Sequence, residues 1–401
     1  MGFFNSVKAL FVRGQPARND VWNRFMFGYS DSGEPITPET AMQIGTVNSC
    51  VRLIAETIAT LPFNVYEYCD LGKKKIYNDL YRMLHDAPND EMTAVVFWEY
   101  MVASLLLRGN AYAQVIRNGA GQAVALYPLK TDCMEKRRDS DFGIVYEYES
   151  DEYGHITFFP HEILHICRLS SDGLVGESVI AQARNTIGLA RSAETYGSSF
   201  FKNGGNLSGV LEFPGKLKDP ERVRDAWNKA YSGAGNANKT AILEEGMKYT
   251  RIGIAPNDAQ FLDTRRFQKE EICGLFRVPP HKIGDLSRAT FSNIEHQSIQ
   301  FVTDTIRPWL VRIEQAVTMQ VLTPMQKEKY LLKFNVDAIL RGDMRSRFAA
   351  YSTAIQNGIY SVNDVLEIED MNLISDEEGG NTHFANGNFT RLADAGNWNK
   401  E

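Results

Sequence analysis

The chain has 401 residues, 43% of them apolar and 11% aromatic, enough to bury a large core and too many for one, since single cores stop growing near roughly 250 residues. Its 43 Lys and Arg against 50 Asp and Glu leave a net charge of −7, so the basic footprint of a protein that clamps nucleic acid is missing. Five scattered cysteines, Cys50, Cys69, Cys133, Cys167 and Cys273, include no C-x-x-C pair and read as reduced core thiols of a chain made in a cytosol.

In "MGFFNSVKALFVRG" Lys8 interrupts the apolar residues before a signal peptide develops, and no run reaches the ~20 residues of a membrane span, so a soluble chain is expected. The start also fits the M-G-x-x-x-S myristoylation pattern, but a short amphipathic helix with Phe3, Phe4, Val7 and Leu10 on one face is the preferred reading. Residues 39–60 carry Ile44, Val47, Val51, Ile54 and Ile58 at helical spacing, stopped by Leu61-Pro62, and "FNVYEY" follows as a strand. "TAVVFWEYMVASLLLRGNA" is a very apolar helix ending near Gly109. Two hairpins follow, one turning at Asn118-Gly119, the other joining "GIVYEYES" to "HITFF" through residues 151–154. Residues 1–175 therefore read as a mixed α/β unit.

From Gly176 the texture changes. "SVIAQARNTIGLARSAETYGSSFFKNGG" predicts about 25 helical residues with Ile180, Ala183, Ile187, Ala190 and Ala193 on a stripe of mostly small side chains that suits close helix packing. A compact insert comes next: a strand "SGVLEFPG", a helix opened by Asp219-Pro220 and running to about Tyr231, then strands "TAILEEG" and "KYTRIGI". "DAQFLDTRRFQKEEICGLFRV" is another helix, closed by Pro279-Pro280. The polar "HKIGDLSRATFS" leads into a helical pattern from Asn293 to Leu322, which Pro308 should kink. A strand "KYLLKFNVD", helices over 343–357 and 361–369, and a loose tail "GGNTHFANGNFTRL" complete the chain.

His161-Glu162-Ile163-Leu164-His165 satisfies H-E-x-x-H, the pattern of a zinc hydrolase, with Glu177 or Glu194 as conceivable third ligands. The chemistry needs a helix of two turns. Here Pro160 and the β-branched "ILHICRL" favour a turn and a strand, in which His161 and His165 stand about four rises of ~3.3 Å apart and cannot share an ion. His165 is then expected half-buried and Glu162 solvated. The chain also lacks a G-x-x-x-x-G-K-[ST] phosphate loop, a G-x-S-x-G elbow and a paired-carboxylate site, so an enzyme reading has no other support, and no metal or cofactor is implied.

The order of these elements resembles the portal proteins of tailed bacteriophages of the HK97 family. The motifs that carry the resemblance run through most of the chain: "GLVGESVIAQARNTIGLARSAETYGSSFFKNGGNLSGVLEFPG", "NANKTAILEEGMKYTRIGIAPNDAQFLDTRRFQKEEICGLFRVPPHKIGD" and "ATFSNIEHQSIQFVTDTIRPWLVRIE". That family commonly carries a segment like "EILHI" just before "DGLVGES", which makes the zinc-like pentapeptide a coincidence within a family strand.

The resemblance implies an α+β portal fold that forms rings, usually of twelve subunits, at one capsid vertex, with double-stranded DNA passing through the centre. It implies a wing over 1–175 and 293–340, stem helices at 176–205 and 258–278, a clip at 206–257, a tunnel loop at 279–292, and a crown with flexible tail at 341–401. Expected partners are the large terminase, the major capsid and scaffold proteins, and head-completion or adaptor proteins, with no membrane. The expected location is the virion, after assembly in the bacterial cytoplasm. DNA neighbours in the tunnel loop would be Lys282, Asp285, Arg288, Thr290 and Ser292, with Arg265, Arg266 and Lys269 as stem-lining candidates.

The charge agrees with this on physical grounds. A stem helix of about 25 residues is ~37 Å long and faces about 22 phosphates at one charge per ~1.7 Å. Neutralising even a third of them would reach the ~6 to 10 contacts that give persistent binding, and the DNA would stall. Twelve copies at −7 each carry about −84, the balance of a conduit rather than a clamp.

Overall fold

The computed structural model describes residues 28–70, 72–150, 154–202, 209–216, 219–231, 243, 246–251, 258–286, 297–336, 344–369 and 371–384. The expected amphipathic helix and myristoylation pattern at the start, and most of "TAILEEG", lie outside the described residues. The chain divides into two compact units, Met1–Asn335 and Val336–Glu401.

The first unit opens with α1 (Pro38–Ala41), held by a capping box between Thr37 and Thr40, and α2 (Gly45–Ala59), whose Val47, Val51, Ile54 and Ile58 are buried as their spacing predicts. β1 (Phe63–Cys69) and β2 (Gly72–Lys75) form a hairpin, followed by α3 (Asp79–His85), capped by Asn78, and α4 (Ala94–Arg108), capped by Thr93 and closed by Gly109 in the left-handed region at φ +80°. β3 (Asn110–Arg117) and β4 (Ala123–Leu129) turn at Asn118, whose Oδ1 accepts the amides of Ala120 and Gln122. β5 (Met134–Asp139), β6 (Gly143–Ser150) and β7 (Gly154–Phe158) make an antiparallel meander, and β8 (Ile163–Cys167) returns to pair with β3 in the order β4-β3-β8.

The predicted 25-residue helix is two. α5 (Val179–Gln182), capped by Ser178, stops at Ala183 (φ −100°, ψ 18°), and α6 (Arg184–Lys202) starts afresh. The break lets each part serve a different neighbour: α5 packs on α4, while α6 packs on the later helix α8. The insert contains β9 (Gly209–Glu212), α7 (Pro220–Tyr231) and β10 (Lys248–Arg251), with β9 and β10 antiparallel and Trp227 of α7 stacked 5.3 Å from Tyr249. α8 (Asp258–Phe276) follows.

Residues 297–300 are helical, and a π turn at Phe301–Ile306 precedes α9 (Arg307–Gln320). The kink expected at Pro308 is expressed as this widened turn, because proline offers no amide to the preceding turn and its ring crowds that carbonyl. α10 (Pro324–Lys329) and β11 (Tyr330–Phe334) close the unit, β11 pairing with β1 so that Phe334 stands opposite Phe63 in a sheet ordered β11-β1-β2. The core sits between this sheet and the α2–α4 pair. Phe63 stacks on Phe334 at 4.0 Å and meets the edge of Trp98 at 5.6 Å, and the Trp98 indole N–H donates to Leu84 O at 3.1 Å.

Arg117 ties remote parts of the unit together without a carboxylate. Its guanidinium donates to His161 O (2.9 Å), Gly121 O (2.9 Å), Val321 O (3.0 Å) and Gln320 O (2.7 Å), the last two being carbonyls at the C-terminus of α9. The positive charge also suits the negative end of that helix. Arg117→Ala strands these acceptors, and urea unfolding is expected to show a loss of about 3 kcal/mol.

In the second unit, α11 (Met344–Gln356) is followed by α12 (Val362–Ile368), opened by a capping box between Ser361 and Asp364. The first part of the tail is not loose. Asn363, 6% exposed, donates to Ile374 O and Asn381 Oδ1, accepts from the Ile374 amide, and gives its own amide to Gly380 O. One buried amide side chain thus folds residues 374–381 back onto α12, an organisation that a Gly/Asn-rich composition conceals.

Candidate functional site

α8 and the residues after it carry the predicted site. The helix ends with the Val278 amide donating to Cys273 O at 2.9 Å, and Arg277 takes the left-handed conformation, φ +55°, usually left to glycine. A 3₁₀ turn, Pro280–Ile283, is closed by Gly284 at φ +84°, with the Asp285 amide donating to Pro280 O at 3.0 Å. A groove of about 780 Å³ separates the end of α8 from the π turn, lined in part by Arg277, Gln300, Asp304 and Pro308.

Each stem-lining candidate has a carboxylate of its own chain. Arg265 lies 3.3 Å from Glu194 on α6, Arg266 3.6 Å from Glu270, and Lys269 3.1 Å from Asp285. The Lys269–Asp285 pair joins two residues that the sequence assigns to different segments, stem and loop. Lys282 is exposed on the 3₁₀ turn with its ammonium 6.0 Å from the Phe301 ring centroid. The structure thus gathers Lys269, Asp285 and Lys282 at one end of α8 and leaves Arg265 and Arg266 nearer the insert. Arg288, Thr290 and Ser292 lie outside the described residues.

The zinc-like motif is divided between a turn and a strand. His161 is exposed in the turn after β7, and Glu162 is partly buried, accepting the Phe159 amide at 2.9 Å. His165, expected half-buried, is 5% exposed on β8, because its ring stacks on Tyr112 (4.4 Å) and its backbone is bridged by the Gln320 side chain, 2.7 Å from its N–H and 2.9 Å from its carbonyl. Its Nε2 lies 3.0 Å from Asn110 Oδ1, an acceptor, so Nε2 carries the hydrogen. Nδ1 then receives the Tyr146 hydroxyl and the Lys136 ammonium, each at 3.4 Å. Burial, and behind it the Lys136 charge, lower the pKa of His165 to about 3. Both ring nitrogens are committed inside the fold, Glu194 is paired with Arg265, and among the described residues no three His, Cys, Asp or Glu are grouped to hold a metal.

The network around His165 reaches the "DGLVGES" segment. Asn110 Oδ1 accepts the Gly176 amide and its Nδ2 donates to Gly176 O, both at 2.8 Å. Asp172 Oδ accepts the Ser170 hydroxyl and the amides of Leu174 and Val175, which hold its pKa down to about 2. The motif is a folded turn fixed to Asn110 at the start of β3, and the Ser178 hydroxyl that caps α5 donates to Leu107 O at the end of α4.

Sequence reasoning missed the guanidinium contacts of Arg117, Arg168 and Arg312 and the left-handed backbone of Arg277. The acceptors of Arg312 and most of those of Arg117 lie far off in sequence, and those of Arg168 follow no helical or strand spacing. Only Arg277 left a trace, a non-glycine residue at the helix end before Pro279-Pro280.

Comparison with known proteins places this geometry. The family model for phage portal proteins matches residues 45–370. The chain is 37% identical over 403 residues to the probable portal protein of Streptomyces phage phiC31, covering 94% of this chain and 87% of that one. It is 33% identical over 374 residues to the portal protein of Enterobacteria phage HK97, covering 91% and 87%. Among solved structures, a protein from the neck of an empty gene transfer agent particle superposes with a TM-score of 0.57 at 22% identity, covering 92% of this chain and 97% of that one. An HK97-family phage portal protein from Corynebacterium diphtheriae gives 0.55 at 16%, covering 76% and 98%.

Proposed function

The chain belongs to the phage portal protein family, and from that premise we propose that it forms a ring of about twelve subunits at one capsid vertex, through which double-stranded DNA enters and leaves. In this reading β9, α7 and β10 form the clip, α5, α6 and α8 the stem, and residues 279–292 the tunnel loop. The second unit forms the crown, and the remainder the wing. The ring meets the major capsid and scaffold proteins at its periphery, the large terminase at the clip during packaging, and adaptor proteins afterwards. It is assembled in the host cytoplasm and ends in the virion. Among the described residues no helix is long and apolar enough to cross a membrane. The portal family is a structural one, and the energy for translocation comes from the terminase.

The observation that carries the conduit reading is the neutralisation of Arg265, Arg266 and Lys269 by carboxylates of the same chain. α6 and α8 are 19 residues each, about 28 Å at ~1.5 Å per residue, alongside about 16 phosphates. Three free cations per subunit would grip those phosphates, whereas paired ones leave a wall that DNA slides past. Deleting residues 285–290 is expected to spare ring assembly and reduce packaging or retention of DNA at least about tenfold. Normal packaging by the deletion variant contradicts the assignment of the loop.

A further inference from the structure

The packed pair α6 and α8 carries large apolar side chains on both of its outer sides. The two helices run antiparallel, since α6 leads into the insert and α8 returns from it: the first half of α6 is tied to residues 31–43 through Asn185 and Arg191, and the 3₁₀ turn that follows α8 packs on the neighbouring α2. The Arg265–Glu194 ion pair at 3.3 Å sets their register. Counting from it at ~1.5 Å per residue in opposite directions, Leu189 lies level with Glu270, Tyr196 with Asp263, and Phe267 with Ser192, midway between Leu189 and Tyr196. At about 3.6 residues per turn, Leu189 and Tyr196 share one face of α6, about 150° round from Glu194, and Phe267 stands about 160° round α8 from Arg265. Leu189 (51% exposed) and Tyr196 (47%) therefore face away from α8, and Phe267 (61%) faces away from α6.

We propose that Phe267 of one copy seats between Leu189 and Tyr196 of a second copy, and that this contact repeats around the ring. This rests on the ring reading. The second copy is picked because each chain carries both halves of the contact, an apolar knob and an apolar notch, on opposite sides and at one height. Head-to-tail contacts between opposite sides of a chain build either rings or helical filaments, and equal height removes the axial rise that a filament needs. Charge excludes the symmetric alternative. Phe267 is flanked on its own face by exposed Asp263 and Glu271, one turn before and one turn after it, so two α8 faces would repel each other. By contrast, α6 holds a single carboxylate, Glu194, which is turned to Arg265, and its outer face adds Ser192 and Ser199 to the two apolar side chains.

Cysteine pairs placed in the full chain carrying Cys69→Ser test this, Cys69 being an exposed native thiol. Ser192→Cys with Phe267→Cys, level with each other across the proposed contact, should give on mild oxidation a ladder of covalent multimers reaching the closed ring on non-reducing gels. Ser199→Cys with Phe267→Cys, about 10 Å out of level, should give no ladder, nor should any of the three cysteines alone. In native mass spectrometry Phe267→Ala should raise the half-assembly concentration at least about tenfold while the monomer keeps the wild-type melting temperature. If the wild type forms rings, the proposal is overturned by wild-type assembly of Phe267→Ala, by no ladder from the level pair, or by equal ladders from both pairs. Normal assembly of Phe267→Ala with altered DNA packaging would give the side chain to the channel and overturn it too. A wild-type chain that forms no rings under any condition fails the ring reading itself, and the inference with it.

Discussion

Gly176→Ala is expected to destabilise the first unit by 4 kcal/mol or more, roughly the upper end of single substitutions. A Cβ at Gly176 would lie 2.0 Å from Gly109 O and 2.6 Å from the Arg168 amide nitrogen, both backbone atoms without a rotamer to escape into. Relief requires the turn to part from β3. That movement breaks the Arg168 N–H to Gly109 O bond (2.8 Å) and both Asn110 bonds to Gly176, and leaves buried polar groups unpaired. Gly119→Ala, where an added Cβ meets nothing within 4 Å, is the matched control and should change stability by less than about 0.5 kcal/mol. Urea denaturation of the two variants decides it: a Gly176→Ala chain within about 1 kcal/mol of wild type would mean that the turn is not packed as described.

Acid should weaken the same unit through His165. Its folded-state pKa is lowered to about 3, against about 6.5 in an unfolded chain. A group with a depressed folded pKa of this kind leaves the unfolded state binding more protons throughout the interval between the two values. Stability from the neutral ring is therefore complete above about pH 6.5 and falls as pH drops toward 3. At pH 4 the loss is on the order of 3 kcal/mol, from the roughly 2.5 pH units between 6.5 and 4 at about 1.36 kcal/mol each. Carboxylates titrate in the same range, so the comparison that isolates the histidine is wild type against His165→Gln. The variant should be weaker at pH 7 and lose less on going to pH 4, and equal losses would remove His165 as the cause.

How far the sequence reaches is clearest element by element. α2, α4 and α8 follow from apolar periodicity with caps or stops, and the β3–β4 and β6–β7 hairpins from their turn residues. β2 ("GKKK") and β5 ("MEKRRD") were invisible, since an edge strand facing water needs no apolar alternation. α3 does carry a local signal, since Asn78 before Leu80, Met83 and Leu84 is a cap followed by helical spacing. The β1–β11 pairing joins residues more than 260 positions apart, and the break at Ala183 reflects a change of packing partner. Neither leaves a local mark. For the candidate site, sequence supplied the basic residues of α8 and the loop. Their carboxylates come from α6, from one turn along α8 and from beyond the 3₁₀ turn, so whether those charges were available could only be read in three dimensions.

The zinc-like pentapeptide shows the reverse. A short motif fixes residue types without the helix that would give them one face, and the strand around His165 assigns its nitrogens to Asn110, Tyr146 and Lys136 instead. Here local propensity predicted the geometry better than the motif did.

The proposed conduit requires copies of the chain to close into a ring around an open axis. Electron microscopy of the purified full-length protein tests this directly. Class averages should show rings of about twelve subunits with a central hole wide enough for a duplex, ~20 Å or more. A population of monomers or of closed discs without a pore, at concentrations where related rings persist, would contradict it.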